Sequence, residues 1–217
     1  KHALIGTAAD IARRSFEFYQ RYFQVKYPFG KLDIVAVPEF AAAAMENTGA
    51  IFAREASILV DPATVSLATR KSVASVIAHE IAHQWFGDLV TMRWWDDLWL
   101  NEGFATWMAS RAANALYPDW QVAVDEVNET QAALALDALT TTRAVRAAVD
   151  SPDQIEASFD AIAYEKGAAV LRMVERYVGS DVFQQGVNRY LEQHAFGNAS
   201  ASDFWLARYP SAGSFDI

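Results

Sequence analysis

Two of the four histidines in the sequence stand four residues apart in the stretch VIAHEIAHQWFGD, residues 76–88. On an α-helix, residues i and i+4 lie on one face, so His79 and His83 can direct ring nitrogens at one point. Such nitrogens bind Zn²⁺ at about 2.0–2.1 Å. Glu80 lies about 100° around the helix, where its carboxylate can reach a metal-bound water but not easily the metal. The stretch predicts either a zinc site with a general base or a core helix with hydrogen-bonded histidines.

A third ligand decides between these interpretations, because a catalytic zinc takes three protein ligands and leaves one position for water. The pattern H-E-x-x-H-x-x-G-x-x-H is not met, since Phe86 and Leu89 stand at the places of its glycine and last histidine. Glu102, in DDLWLNEGFATWMASRAANAL, follows His83 after eighteen intervening residues, on the first turn of a predicted helix. A glutamate there could also serve only to complement the helix dipole. The paired motifs favour a His, His, Glu site with an open fourth position.

Two further sets of residues could support such a site. A metal-binding histidine usually donates its second N–H to a carboxylate or carbonyl, and Asp96, Asp97 and Asn101 are candidates for that role or for capping the next helix. Several tryptophans cluster nearby, and packing in the core is favoured over stacking on a substrate. They are Trp85, Trp94, Trp95, Trp99 and Trp107.

Composition limits the class of protein. The 217 residues suffice for one domain, or for two lobes that share a cleft. The net charge of −9 argues against a nucleic-acid partner, because phosphate binding needs clustered lysine and arginine. Cysteine is absent, which excludes disulfides and thiolate ligands, and no apolar run approaches the roughly 20 residues that span a bilayer. The start, KHALIGTAAD, is neither a signal peptide nor an initiating methionine, which predicts a processed product or a piece of a larger protein and leaves the compartment open.

Hydrophobic patterning predicts an α/β lobe followed by a mainly helical lobe. An amphipathic helix opens at Thr7 or Asp10 and ends before Tyr27-Pro28, where proline disfavours its continuation. The predicted strands are residues 31–38, 49–53 and 57–61, with residues 89–95 a strand or an extended link. The other predicted helices are residues 66–86, 100–117, 120–138, 163–178, 181–194 and 202–209, and residues 140–153 are a loop.

Three motifs resemble those of the zinc aminopeptidases of the aminopeptidase N family, which includes leukotriene hydrolase. HEIAHQWFGDLVTMRWWDDLWLNEGFA carries the zinc motifs, AAMEN (residues 43–47) resembles the exopeptidase motif G-A-M-E-N, and DAIAYEKGAAVLRM (residues 160–173) resembles the segment with the catalytic tyrosine. The similarity covers about residues 8–206. It implies an α/β (α+β) thermolysin-like catalytic domain over residues 1–217. A lobe with a small mixed sheet (about 1–87) and a mainly helical lobe (about 88–217) would hold the zinc in the cleft between them.

The resemblance also implies residue roles in removing N-terminal residues from peptides. One Zn²⁺ per chain would be held by His79, His83 and Glu102, with Glu80 as the general base. Tyr164 would donate a hydrogen bond to the developing oxyanion. Without the resemblance, Tyr164 would be interpreted as a packing residue.

The same resemblance implies how a free N-terminus is recognised. Glu46 would accept the α-ammonium group of the substrate, although its spacing alone suggests only a solvated loop acid. The AAMEN backbone would pair with the peptide as an added strand. The other residues of this segment are Ala43, Ala44, Met45 and Asn47.

The sequence departs from the family pattern at several points. Ala43 replaces the first glycine of G-A-M-E-N, which can permit a positive φ or close substrate approach, and Ala53 stands where tyrosine is common. The family places a β-rich domain before this unit and a helical domain after it. Neither is present here, and a second amine anchor comes from that β domain. The amine pocket is therefore either incomplete or completed by a flanking domain or partner chain.

Two alternative functions remain at this point. One is a zinc peptidase with altered exo/endo specificity, or with epoxide hydrolase activity. The other is a catalytically idle fragment of a larger protein that binds zinc.

Overall fold

The computed structural model describes residues 1–207, apart from the side chain of His2. The chain is mostly helical with a small mixed sheet, which confirms the coarse sequence prediction. The helices are α1 (Gly6–Phe23), α2 (Glu55–Ile58), α3 (Leu67–His83), α4 (Leu98–Leu116), α5 (Val122–Asp137), α6 (Pro152–Ser158), α7 (Gly167–Val178), α8 (Ser180–His194) and α9 (Ala201–Leu206). The strands are β1 (Asp33–Val37), β2 (Ala44–Met45), β3 (Ala50–Arg54), β4 (Val90–Met92) and β5 (Gly197–Ala199). A π-helical turn, Ile162–Lys166, leads directly into α7.

The three-stranded sheet has the order β1-β3-β2. Strand β1 runs parallel to β3, with Asp33 opposite Ala50, and β2 runs antiparallel to β3, with Ala44 opposite Ala53. Strand β2, which lies within the AAMEN segment, is therefore at an edge of this sheet. A separate parallel pair, β4 and β5, lies within the half of the chain that the sequence predicts to be mainly helical, and β5 was not predicted.

Helix α3 is fixed at both ends. Ser66 caps it by accepting a hydrogen bond from the N–H of Thr69 over 3.1 Å. The fully buried Tyr19 of α1 donates its hydroxyl to the carbonyl of Ala78 over 2.9 Å. Just beyond the helix, the indole of Trp85 donates to the carbonyl of Val25 over 3.0 Å. Apolar burial and satisfied buried polar groups together hold this helix against α1.

One hydrophobic core joins residues of both predicted lobes, from α1, α3 and β3 to α4, α8 and α9. Trp85, Trp99 and Trp107 are buried in it, as predicted. The prediction was wrong for Trp94, which is 56% exposed and whose indole donates to the carbonyl of Val149 over 2.8 Å. The indole N–H of Trp94 binds the loop that contains Val149, and the exposed ring adds little to the core.

The prediction of a strand at residues 57–61 was wrong. Its β-branched residues do not enter a sheet, because the chain leaves β3 through the short helix α2, closed by a bond of 2.8 Å from the N–H of Leu59 to the carbonyl of Glu55. Helix α3 also ends earlier than predicted, at His83. The N–H groups of Gln84 and Trp85 bond to carbonyls three residues back, which tightens the last turn before the positive φ of Gly87.

The helical lobe departs from prediction at two places. Residues 162–166 form the π-turn, in which the N–H of Lys166 reaches back to the carbonyl of Ala161 over 3.1 Å. Helix α6 was missed, although Ser151 and Gln154 form the capping box that signals it. The predicted last helix, residues 202–209, corresponds to α9, and its predicted end lies outside the described residues. Within residues 1–207, none of the helices combines the length and apolar character that crossing a bilayer requires.

Candidate metal centre and active site

The ring nitrogens of two histidines and one carboxylate oxygen meet between α3 and α4. Nε2 of His79 lies 2.9 Å from Nε2 of His83, and Oε2 of Glu102 lies 3.1 Å from the first and 3.2 Å from the second. We call these three atoms the donor cluster. They can hold a metal ion together. The structure thus brings together the three side chains that the sequence singled out as ligands.

The second nitrogen of each histidine faces a neighbouring group. Nδ1 of His83 lies 2.9 Å from the carbonyl of Phe86, and because a carbonyl only accepts, Nδ1 carries the hydrogen and leaves Nε2 free for a ligand bond. Nδ1 of His79 lies 3.4 Å from the hydroxyl of Thr106. These partners were not predicted. Asp96 and Asp97 instead bind Arg146, and Asp97 also accepts the N–H of Ala201 over 3.1 Å.

Electrostatics in the donor cluster centre on Glu102. Burial lowers the pKa of His79, so its imidazole stays neutral and keeps a lone pair. Burial also acts to lower the pKa of His83, but the adjacent Glu102 carboxylate outweighs burial and raises it. Burial opposes ionisation of Glu102 too, yet the charge of His83 and hydrogen bonds from both histidines lower its pKa below the usual range. A buried carboxylate therefore remains charged and needs a cationic partner.

The donor cluster fits a zinc ion. Two imidazoles and one carboxylate form a ligand set of catalytic zinc sites. Tetrahedral ligands at about 2.0–2.1 Å from a metal are about 3.3 Å apart. The distances between the three atoms of the donor cluster, 2.9, 3.1 and 3.2 Å, are close to this value. Two ring nitrogens facing each other beside a carboxylate are readily explained as ligands of one cation.

Glu80 follows the first ligand on α3 and is buried, with 7% of its surface exposed. Burial raises the pKa of its carboxyl group to about 8, while the charge of His83 lowers it and the nearby carboxylates raise it by smaller amounts. A carboxylate with a raised pKa is suited to accepting a proton near neutral pH. The charges of His83 and Glu102 act on this carboxyl group, so Glu80 is within electrostatic reach of the donor cluster.

Tyr164 lies on the π-turn against the donor cluster. Its ring is nearly parallel to that of His79, with centroids 5.8 Å apart and planes 9° apart. Burial, followed by the charge of Glu102 and a hydrogen bond to it, raises the pKa of Tyr164, so the phenol keeps its proton. The hydroxyl is therefore a hydrogen-bond donor beside the candidate metal site.

Two glycines allow the π-turn to lie directly on α4. A Cβ on Gly103 would come within 2.8 Å of the carbonyl of Ala163 and 3.0 Å of Cα of Gly167. A Cβ on Gly167 would in turn come within 3.3 Å of Cα of Gly103. The glycines that follow Glu102 and Lys166 therefore bring the ligand Glu102 and the phenol of Tyr164 together.

The AAMEN segment approaches the other end of the same site. After burial, the charge of Glu46 is among the causes that raise the pKa of Glu80 and of Tyr164, so its carboxylate is within electrostatic reach of the donor cluster. Ala43 and Asn47 are exposed. Within residues 1–207, the only positive φ angles outside glycine are those of Gln24, Gln121 and Phe196, so the alanine at position 43 is not strained.

A cleft opens along the part of α3 that precedes His79. It runs along the first turns of α3, between α4 and α5, and we call it the α3–α5 cleft. Val76, one turn before His79, lies at its near end. Other lining residues include Ser72, Ala109, Asp125 and Glu129. The cleft thus lies toward the start of α3 from His79, and neither the donor cluster nor the AAMEN segment is among the residues that line it.

Sequence reasoning missed Gln84, Thr106 and Gly103 as residues that support this site. Gln84 is fully buried and bonds to the backbone of the AAMEN segment. A signal existed for Thr106, which stands four residues after Glu102 and so shares its helix face. The role of Gln84 had no such signal, because its partners are far away in sequence.

Comparison with known proteins agrees with this geometry. The family model described as "Peptidase family M1 domain" matches residues 7–214. The chain therefore belongs to peptidase family M1, which confirms the resemblance found in its motifs.

Several curated relatives are similar over nearly the whole chain. "Aminopeptidase 2" of Candida albicans is 47% identical over 207 residues, covering 95% of this chain and 22% of that protein. "Probable aminopeptidase 2" of Sulfurisphaera tokodaii is 51% identical, and the match covers 95% of this chain and 26% of that protein. "Leucyl aminopeptidase" of Saccharolobus solfataricus is 48% identical, and the match covers 90% of this chain and 25% of that protein. The chain thus spans about a quarter of the length of these relatives.

Proposed function

We propose that this chain is the catalytic domain of a zinc aminopeptidase, which removes N-terminal residues from peptides. The observation that carries the proposal is the donor cluster of His79, His83 and Glu102, whose three atoms lie 2.9–3.2 Å apart. The domain would be thermolysin-like, with the zinc in a cleft between lobes at about residues 1–87 and 88–217. Family membership and relatives named aminopeptidases support this function.

The side chains around the donor cluster have complementary roles in this proposal. Zinc held by His79, His83 and Glu102 supplies a Lewis acid and a bound water of lowered pKa. Glu80 accepts the proton of the attacking water and returns it to the departing amine. Tyr164 donates its phenolic hydrogen to the carbonyl oxygen as negative charge develops there.

The substrate would lie along α3 with its N-terminus at the AAMEN segment. Glu46 accepts the α-ammonium group, which makes the enzyme an exopeptidase. Strand β2 is at an edge of its sheet, which supports the proposal that the backbone of Ala44 and Met45, flanked by Ala43 and Asn47, pairs with the peptide as an added strand. The leaving part of the peptide would extend past His79 into the α3–α5 cleft.

The rest of the relatives' length suggests that more protein surrounds this site. The chain spans 22% of the Candida albicans relative and about a quarter of the others. We propose that flanking domains or a partner chain complete the amine pocket beside Glu46.

Metal analysis and a paired cleavage assay test the proposal. Aminoacyl p-nitroanilides should be cleaved with one zinc per chain, while the same compounds with a blocked amine should not. Glu80→Gln should retain zinc and lose about 10²–10⁴-fold in turnover, whereas Glu46→Ala should chiefly raise KM for free-amine substrates. Cleavage of blocked peptides or epoxide opening would favour altered specificity, and stoichiometric zinc without any cleavage would favour an idle domain.

A further inference from the structure

We infer that Gln84 is a positioning residue, which fixes the segment carrying Glu46 relative to the metal ligands. The inference rests on the proposed function, because it assigns to Gln84 the placement of the amine-binding carboxylate. Gln84 directly follows the ligand His83 in sequence, while Glu46 lies on a different element of the fold. One side chain therefore joins the metal-binding helix to the substrate-binding segment.

The amide of Gln84 bonds to the backbone on both sides of a tight turn. Its Nε2 donates to the carbonyl of Glu46 over 2.8 Å, and its Oε1 accepts the N–H of Gly49 over 2.9 Å. The hydroxyl of Tyr27, which is 2.9 Å from the carbonyl of Lys31, also lies 3.3 Å from the same Oε1. The side chain has no exposed surface. Buried amides are costly unless they are hydrogen-bonded, so this bonding pattern makes the amide group essential at this position.

The turn from Glu46 to Gly49 has other contacts, mostly at its Gly49 end, where the carbonyl of Gly49 accepts the N–H of Asp33 and the Nζ of Lys31, each over 3.1 Å. The N–H of Ala50 bonds to the carbonyl of Asn47 over 2.8 Å, and Gly49 has a φ of 69°. Thr48 hydrogen-bonds the carboxyl group of Asp88, which lies just after α3. The bond to the carbonyl of Glu46 is the contact that acts on the backbone of the amine-binding residue itself. Its loss should let the Glu46 carboxylate move away from the α-ammonium group.

The alternative is that Gln84 only fills space in the core. A filler contributes to stability and metal binding, but its loss affects every substrate and every variant by a similar factor. A positioning residue acts through Glu46, so its loss should matter only while Glu46 is present. A double-mutant cycle separates these two cases.

The test uses the zinc-loaded protein with Gln84→Met, which keeps length and volume but removes the hydrogen bonds to Glu46 and Gly49. KM for an aminoacyl p-nitroanilide should rise about 10–100-fold, with kcat reduced less than fivefold and the zinc content unchanged. In a Glu46→Ala background, the same substitution should change kcat/KM less than threefold. Gln184→Met is the matched control, since it removes one amide bond of 2.7 Å to the carbonyl of Tyr22 away from the site, and its KM should equal that of the wild type.

Amide hydrogen exchange gives a readout that does not need activity. Exchange at Gly49, whose N–H loses its acceptor, should accelerate at least tenfold in Gln84→Met and stay unchanged in the control. If no substrate is cleaved but exchange accelerates, the proposed aminopeptidase function fails while the positioning of the turn stands. If Gln84→Met does not fold, Gln84→Asn replaces it, because its amide is one methylene shorter and cannot span both backbone groups. The inference would be overturned if Gln84→Met lowered kcat/KM by the same factor in the wild-type and the Glu46→Ala backgrounds. Unchanged amide exchange at Gly49 would also overturn it.

Discussion

Nδ1 of His83 donates to the carbonyl oxygen of Phe86 over 2.9 Å. The bond joins a proposed metal ligand to the turn that leaves its own helix, and the opposite nitrogen faces His79 and Glu102. The orientation of the ligand thus depends on the conformation of the turn after α3. Gly87 in that turn has a φ of 136°, which residues with a side chain rarely adopt.

Gly87→Ala should weaken zinc binding. A Cβ at this position would lie 3.3 Å from both Nδ1 and the carbonyl oxygen of His83, and it would also oppose the positive φ. We expect an approximately 10–100-fold loss of zinc affinity, the range for disturbed outer-sphere partners, measured by competition with a chelator. Gly179→Ala is the control, because it has a φ of 90° with nothing within 4 Å of the added Cβ. Equal zinc affinities of the two variants would contradict this prediction.

Tyr164→Phe should lower kcat without a comparable change in KM. The phenol is buried against His79 and retains its proton, so the variant removes one preorganised donor from the proposed oxyanion site. Loss of such a donor typically reduces kcat by about 10²–10³-fold. Steady-state kinetics would measure the effect, with Tyr177→Phe as the control because Tyr177 is 88% exposed. A variant with wild-type kcat would exclude Tyr164 from the chemistry.

Gly103→Ala should destabilise the protein and misplace the π-turn. The added Cβ would approach the carbonyl of Ala163 to 2.8 Å, so the turn must move away from α4. Overpacking of this kind costs about 1–3 kcal/mol of unfolding free energy, which urea denaturation would measure. Gly6→Ala, where the added Cβ meets nothing within 4 Å, should leave the unfolding free energy nearly unchanged. The prediction fails if Gly103→Ala is as stable as the wild type and fully active.

Glu165→Gln should stabilise the protein above neutral pH and have little effect near pH 4. Burial, together with the charge of Glu129, raises the pKa of Glu165 from 4.5 to about 7 in the folded protein. Between pH 4.5 and about pH 7, Glu165 is ionised in the unfolded chain but keeps its proton in the folded protein. The wild type therefore loses stability as the pH rises through this range. The variant should gain about 1–2 kcal/mol at pH 8, allowing for partial solvent exposure.

Thermal or urea unfolding at pH 4 and pH 8 measures this gain. Glu192→Gln provides the control, because Glu192 is an exposed glutamate on α8. The same stability difference at both pH values would show that ionisation of Glu165 does not oppose folding.

The donor cluster could be predicted from the sequence because its geometry is largely local. His79 and His83 share a helix face whatever surrounds the helix, and the distance to Glu102 is set by a turn and one short extended segment. Long amphipathic helices such as α1 and α8 were predicted for the same reason, since their apolar spacing repeats over several turns.

Features that depend on distant contacts could not be predicted in this way. The apolar run at residues 57–61 has strand propensity, yet its first two residues belong to the short helix α2 and the rest do not join the three-stranded sheet. Gln84 binds backbone groups more than thirty residues away. The roles of Glu46 and Tyr164 came from the family resemblance, because neither a loop acid nor a helical tyrosine has a spacing that indicates chemistry.

The last turn and a half of α3 and the residue that follows it, Gln84, together carry two proposed ligands, the proposed base and the amide that binds the Glu46 turn, all within residues 79–84. Fraying of that short stretch would release the metal, displace the proton acceptor and free the Glu46 turn in a single event. Partial unfolding there would therefore yield an inert protein instead of a peptidase with relaxed selectivity.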